Sequence, residues 1–506
     1  MSSFVRGTLF LMFVIFLSKL FGFFYRMQFM RIAGEEAVGI YMTVYPAFIF
    51  FISLIQLGLP IAVAKIVAEL LAKNKRENIF GVMRTAILWS FIGMIVFMPL
   101  VALTIPYIST TLLHNEQTTF TLWIALFAVP VSVGSGLLRA YLQGVAKITP
   151  TAWAQMIEQI VRISFITLML PYVANYNNAA VTAAAAMGIT LLAEVVAFLY
   201  LWLHYIVSKK KLLTRKTKIE GYPASPMLRV ALPSAGSKLF GSFTWFLEPI
   251  IFLKALTVAG LTASAATILY GVISGVLVPL LLFPAFVSTA LSIVLIPAVS
   301  DAVARQHIPL LQERISVSLR LSSLVGCFAA TYFFVHGDEL AMKLFHLEEN
   351  RGYVKILAPI FYFYYIQSPL HSILQAIGEA RAAMMNSIYG GLGKLFVMFV
   401  LASQPGIQEK GAVVAIGFGG VLLTSFLHIA TVRQRKNLRA GFRMFVVPYS
   451  CFIAVCVAQY FLIPLLSLPF ILSSGVTLFL LFTFLLFTNQ LRITDFRYIK
   501  KLAKKV

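Results

Sequence analysis

Apolar runs of about 20 residues recur from one end of this chain to the other, each the length a helix needs to cross the ~30 Å hydrocarbon layer of a bilayer. No feature restricts the fold more. In hydrocarbon every backbone N–H and C=O must be satisfied internally, which a helix does within one segment. Composition agrees: 60% of residues are hydrophobic and 12% charged, against about 25% charged in soluble domains. Fourteen spans are expected, at 7–30, 38–60, 80–105, 120–142, 152–173, 180–206, 228–256, 264–298, 315–336, 353–376, 383–403, 411–432, 444–467 and 470–488. The first holds Lys19 and Arg26 and lacks a small-residue cleavage site, so it reads as a retained helix rather than a signal peptide. Pro46, Gly58 and Pro60 should bend the second; Gly271, Gly275, Pro279, Pro284 and Pro297 should bend the eighth. Broken helices at matching places in two halves point to a binding site.

The net charge of +23 lies mostly in short loops and at the C-terminal end, between apolar spans. That placement reports which loops stay in the cytoplasm and argues against a nucleic-acid partner. Alternate threading from a cytoplasmic N-terminus puts Lys73, Lys75, Arg76, Lys147 and the basic 208–226 stretch inside. Arg305, Arg314, Arg381, the cluster Arg433, Arg435, Lys436, Arg439 and Arg443, and the tail from Arg492 to Lys505 join them. The opposite loops carry Glu35 and Glu36, or Asp338, Glu339, Glu348 and Glu349, and the 106–119 loop has no Lys or Arg. Both termini are therefore expected in the cytoplasm. Cys327, Cys451 and Cys456 sit in apolar segments, where packing is the default role.

The chain is also built twice. Ser18-Lys19-Leu20-Phe21-Gly22 returns as Ser237-Lys238-Leu239-Phe240-Gly241, at an offset of 219. An offset of 232 then aligns Glu69 with Asp301, Leu142-Gln143 with Leu374-Gln375, Arg162 with Lys394, and Gly188 with Gly420. Four parts follow: a six-helix bundle at 1–207, a basic cytoplasmic linker at 208–226, a second six-helix bundle at 227–438, and two extra helices with a basic tail at 439–506. Copies with an even number of spans share one orientation about an axis along the membrane normal. The fold class expected is all-α and polytopic, with two parallel six-helix lobes around a central cavity and two C-terminal helices.

A lysine at the centre of a membrane helix costs about 2.5–3.5 kcal/mol on insertion scales, so its recurrence at one repeat position needs a reason. Lys19 and Arg26, two turns apart, share a face of the first helix, and Lys238 is the repeat partner of Lys19. Ion pairing or hydrogen bonding to carbonyls is one reading. A site for an anionic phosphate is the other, favoured because the first helix has no carboxylate between 7 and 34. Lys254 and Arg31 lie near helix ends, where they can snorkel. Glu248 is a candidate member of the substrate cavity, a coupling carboxylate, or a counter-ion to Lys238 or Arg26. Glu194 is a second candidate coupling carboxylate. Glu158–Arg162 and Lys65–Glu69 have i, i+4 spacing and read as structural pairs. Arg139, Gln143, His371 and Gln375 are candidates for an inner gate. Phe361-Tyr362-Phe363-Tyr364-Tyr365 reads as packing. No phosphate-binding glycine loop, metal motif or nucleophile elbow is present.

Some stretches resemble a known group: Ser18-Lys19-Leu20-Phe21-Gly22-Phe23, Arg26, Arg31-Ile32-Ala33-Gly34-Glu35-Glu36-Ala37-Val38-Gly39-Ile40-Tyr41, and Gln56-Leu57-Gly58-Leu59-Pro60-Ile61-Ala62-Val63-Ala64-Lys65. The chain looks like the stage V sporulation protein B branch, related to MurJ-type lipid II flippases, of the multidrug/oligosaccharidyl-lipid/polysaccharide exporter superfamily. The resemblance implies a V-shaped cavity that opens alternately to either side around an undecaprenyl-pyrophosphate-linked sugar in the bacterial cell membrane. It implies a role in peptidoglycan or spore-cortex synthesis, no cofactor, coupling to Na⁺, H⁺ or the membrane potential, and cell-wall synthases as candidate partners. Lys19 matches a pyrophosphate-holding position of the MurJ-type members, and Arg26 lies one residue from another. Those members also use arginines on the second and eighth helices. Here the deep part of the second and the whole eighth span lack Lys and Arg, which leaves another lipid-linked glycan open as cargo. The alternatives are a cation-coupled multidrug exporter, or a non-transporting scaffold or glycan polymerase using the acidic loop at 336–351.

Overall fold

The computed structural model describes residues 3–176, 178–212, 221–349, 351–436, 443–466 and 469–490, and every regular element among them is helical. Each predicted span coincides with helix, and among the described residues ten stretches are long and apolar enough to cross a membrane. The number falls below fourteen because the first two spans, joined directly at Gly34, form one continuous stretch, only Phe445–Phe461 represents the thirteenth, and the fifth and tenth are too polar to qualify. Arg215, Lys216 and Lys218 of the linker, Arg439, and the tail from Arg492 to Lys505 lie outside the described residues.

The chain packs as two compact units, one from Phe13 to Gly275 and the other from Val276 onward together with the residues up to Met12. The first unit is built from α1 (Ser3–Gln56) from Phe13 onward, α2 (Leu59–Ala72), α3 (Arg76–Tyr107), α4 (Thr118–Gly144), α5 (Ile148–Leu168), α6 (Leu170–Ala174), α7 (Ala179–Leu212), α8 (Ala224–Val258) and α9 (Ala263–Val272). A kink at Gly34 (φ 77°, ψ 171°) divides α1 into two helices; only glycine visits this region at low cost. The break predicted in the second span occurs at Leu57–Gly58, and α2 begins with Pro60 in its first turn, where a missing N–H costs nothing. Pro46 leaves α1 continuous. A Cβ on Gly39 would stand 2.4 Å from the Thr267 carbonyl oxygen, and one on Gly271 2.4 Å from the Gly39 Cα, so α1 and α9 touch backbone to backbone. Small residues permit this approach between membrane helices, where close packing replaces the hydrophobic drive.

The second unit contains α10 (Val278–Leu282), α11 (Ala285–Ala304), α12 (Ile308–Phe345), α13 (Tyr353–Ala376), α14 (Ala380–Ala402), α15 (Gln408–Gly417), α16 (Thr424–Lys436), α17 (Arg443–Leu466) and α18 (Phe470–Phe487). The eighth predicted span is divided as expected, into α9, a π-helical turn at Ile273–Leu277, α10 and α11, with Pro284 capping the last. Among the described residues two further π turns occur, Ile108–Leu112 after α3 and Phe418–Leu423, which joins α15 to α16. Although outside the repeat, α17 and α18 are tied into the core. The Cys327 thiol donates to the Pro448 carbonyl at 3.0 Å, Tyr362 to the Phe445 carbonyl at 2.8 Å, and His336 Nε2 lies 2.8 Å from Thr477 Oγ1. All three cysteines are buried and free. Phe361, Tyr362 and Tyr365 are buried too, the Tyr365 hydroxyl donating to the Leu281 carbonyl.

Candidate functional site: cations on two related helices

Lys19 on α1 and Lys238 on α8 are both exposed, on the surface of the first unit rather than sealed in its core. Lys238 is oriented: its ammonium donates to Oε1 of Gln56 at 2.8 Å. Gln56 is itself buried at the end of α1, against Gly136 of α4, where a Cβ would stand 2.4 Å from its amide nitrogen. A neutral amide therefore sets the direction of the lysine and leaves its charge uncancelled. Sequence reasoning missed Gln56 and Gly136, because the contact joins residues 182 apart. Among the described residues Lys19 has no ion-pair or hydrogen-bond partner.

Arg26 is half-buried. Its Nη1 donates to the Ser274 and Gly275 carbonyls at 3.4 Å each, and lies 3.8 Å from the sulfur of Met42. Those carbonyls belong to the π turn, a local departure from the regular ladder of the kind that often marks functional positions. Glu248 on α8 is buried close to Tyr270 of α9, one turn before the same π turn.

Further into this unit lies a buried charge network. Glu158 accepts from Arg139 at 2.9 Å and from Arg162 at 2.8 Å, and Arg162 also faces Glu194 at 3.6 Å. Three helices contribute, α4, α5 and α7, and the charges sum to zero. The i, i+4 pair is present as expected; Arg139, a gate candidate, and Glu194, a coupling candidate, are bound into it. Gln143 is exposed and lies outside the network.

His371 and Gln375, the gate candidates of the second unit, form a row with a residue the sequence did not flag. His371 Nδ1 lies 3.1 Å from Nε2 of His428, and His371 Nε2 lies 3.1 Å from Nε2 of Gln375. The 232-residue offset pairs His428 with Val196, so the repeat carried no signal of it. The same offset sets Lys394 where Arg162 stands, but Gly390 and Phe426 where Glu158 and Glu194 stand. The backbone of Lys394 lies against Gly419 of the π turn, where a Cβ would stand 2.1 Å from its nitrogen. This unit also holds an apolar cavity of about 500 Å³, lined among others by Pro284, Val287, Leu291, Phe328 and Leu478.

A model of the polysaccharide biosynthesis protein family matches residues 4–303, more than half the chain. The chain belongs to that family. Stage V sporulation protein B of Bacillus subtilis (strain 168) is 33% identical over 471 residues, 90% of each chain. The lipid II flippase MurJ of the same organism is 23% identical over 473 residues, covering 85% of this chain and 82% of MurJ. The solved structure of lipid II flippase MurJ in an inward closed conformation aligns with a TM-score of 0.71 over 95% of this chain and 99% of that one, at 12% identity. This polysaccharide biosynthesis protein family member is thus a multi-pass, all-helical membrane protein with the MurJ fold, as the resemblance in its first two helices implied.

Proposed function

We propose that this protein is a flippase that carries a polyprenyl-pyrophosphate-linked saccharide from the inner to the outer leaflet of a bacterial cell membrane. It works by alternating access, in peptidoglycan or spore-cortex synthesis. The observation that carries this reading is the exposed, uncancelled charge of Lys19 and Lys238 at one repeat position, supported by the 33% identity to stage V sporulation protein B. Two ammonium groups bind a pyrophosphate through charge-assisted hydrogen bonds. Arg26, anchored through one nitrogen on the π-turn carbonyls, offers its remaining N–H groups to the same anion. The apolar cavity of the second unit has the character and size to take a segment of lipid chain. Both termini stand in the cytoplasm, the lobes 1–207 and 227–438 are copies of one six-helix repeat, and cell-wall synthases receive the product. The multidrug alternative is weaker, because the first helix carries no carboxylate between 7 and 34 and the coupling candidate Glu194 faces Arg162 at 3.6 Å; drug efflux that collapses in Glu248→Gln would favour it.

The test is leaflet transfer of an undecaprenyl-pyrophosphate disaccharide in proteoliposomes. Lys19→Ala and Lys238→Ala should each slow transfer about tenfold or more, the effect of losing one charge-assisted hydrogen bond of about 1.5–3 kcal/mol. Transfer at the normal rate in both, at normal protein levels, removes the headgroup site.

A further inference from the structure

In the second unit, the His371 and His428 rings stack across the seam between α13 and α16, with centroids 5.4 Å apart and planes 24° apart. Exposure falls along the row: Gln375 is exposed, His371 half-buried and His428 fully buried. The Nδ1 of His428 is buried, and the Thr424 backbone one turn earlier is the polar group that acts on this ring besides His371. Among the described residues neither imidazole has an ion-pair partner, and the only titratable group acting on either ring is the other ring. Polar side chains nearby on the packed helices are neutral and engaged elsewhere: Gln367 of α13 with the Gly420 carbonyl, Asn386 of α14 with Thr431, and Ser425 of α16 with the Phe363 carbonyl.

We propose that His371 and His428 form a binding site for a single proton, loaded through Gln375, and that the charge of the pair decides whether the α13–α16 seam is closed. For transport this deepens the proposed function by naming protons as the coupling ion, and to that extent rests on it.

The hydrogens can be followed. With the Gln375 amide donating to His371 Nε2, the His371 hydrogen sits on Nδ1 and donates to His428 Nε2. The His428 hydrogen is then on Nδ1, buried on the side of the Thr424 backbone one turn earlier. An incoming proton binds His371 Nε2, and Gln375 turns its amide to present the oxygen. The charge is shared through the Nδ1–H···Nε2 bridge. A second proton would need hydrogens on both bridging nitrogens, 3.1 Å apart, and two like charges, so the pair titrates as one unit. A buried cation without a counter-ion is costly. Parting the helices to admit water relieves that cost. The parted state therefore binds the proton more tightly, and by linkage acid on the Gln375 side favours parting.

The test uses the full chain in lipid nanodiscs, with ¹⁵N NMR of the imidazoles and amide hydrogen exchange along α16, corrected for the intrinsic pH dependence of exchange. Wild type should show one coupled titration taking up one proton across the two rings. Exchange on α16 should quicken about tenfold per pH unit as acid passes through it, the slope for one linked proton. Both features should vanish in His371→Asn, which keeps a hydrogen-bonding side chain at a half-buried site. Two rings that titrate separately, or an α16 exchange slope that is the same in wild type and variant, overturns the inference. Neither readout involves transport, so absent glycan transfer counts against the proposed function alone.

Discussion

Glu158 holds two arginines with its two oxygens, inside a network whose members are all largely shielded from solvent. Removing one partner of a buried pair leaves uncompensated charge and costs about 3–5 kcal/mol. Glu158→Ala should therefore lower the apparent melting midpoint in detergent sharply. Lys65→Ala, which breaks an exposed pair at 3.9 Å, should move stability by no more than about 1 kcal/mol. Equal losses in both would show that the network is not what holds α4, α5 and α7 together. Spacing along one helix made the Glu158–Arg162 pair legible in the sequence. Arg139 and Glu194 reach the pair from other helices, and that joining is a property of packing that no local pattern carries. The same holds for the Gln56 amide under Lys238 and for His428: each lies in an apolar span, and its partner sits on a helix distant in sequence.

Among the helices, glycine positions separate into three kinds that single substitutions distinguish. Gly188 of α7 has open space and helical geometry, so Gly188→Ala should leave stability unchanged or raise it by about 0.5–1 kcal/mol. Gly34 also has open space but a positive φ, so any side chain there should cost about 1–3 kcal/mol whatever its size. At Gly39 the obstacle is the backbone of α9. Gly39→Ala must push two helices apart, at a cost of about 1–3 kcal/mol or more. Melting of the three variants checks the order; a stable Gly39→Ala protein would contradict the α1–α9 contact. The sequence located the bends at Gly58 and Pro284 because glycine and proline are local constraints. It overread Pro46 and Pro297, since a helix packed among neighbours tolerates one lost hydrogen bond. The π turns had no legible signature, for they arise where a helix accommodates its neighbours.

For the molecule as a whole, the apolar runs fixed an all-helical membrane fold without any structure, and the family match and MurJ likeness bear that out. Less legible was the weight carried by the last two helices. Lying outside the repeat, they read as appendages, yet three buried hydrogen bonds join them to α12 and α13. A chain ending before Arg443 should accordingly lose its monodisperse peak in size-exclusion chromatography; one that keeps both peak and melting midpoint would make these helices dispensable to the fold. The flippase reading itself depends on which lipid the protein holds. Native mass spectrometry of the membrane-purified protein should find an undecaprenyl-pyrophosphate species with its sugar attached, depleted in the double variant Lys19→Ala, Lys238→Ala. Bulk phospholipid alone, or a glycolipid retained equally by the double variant, would contradict it.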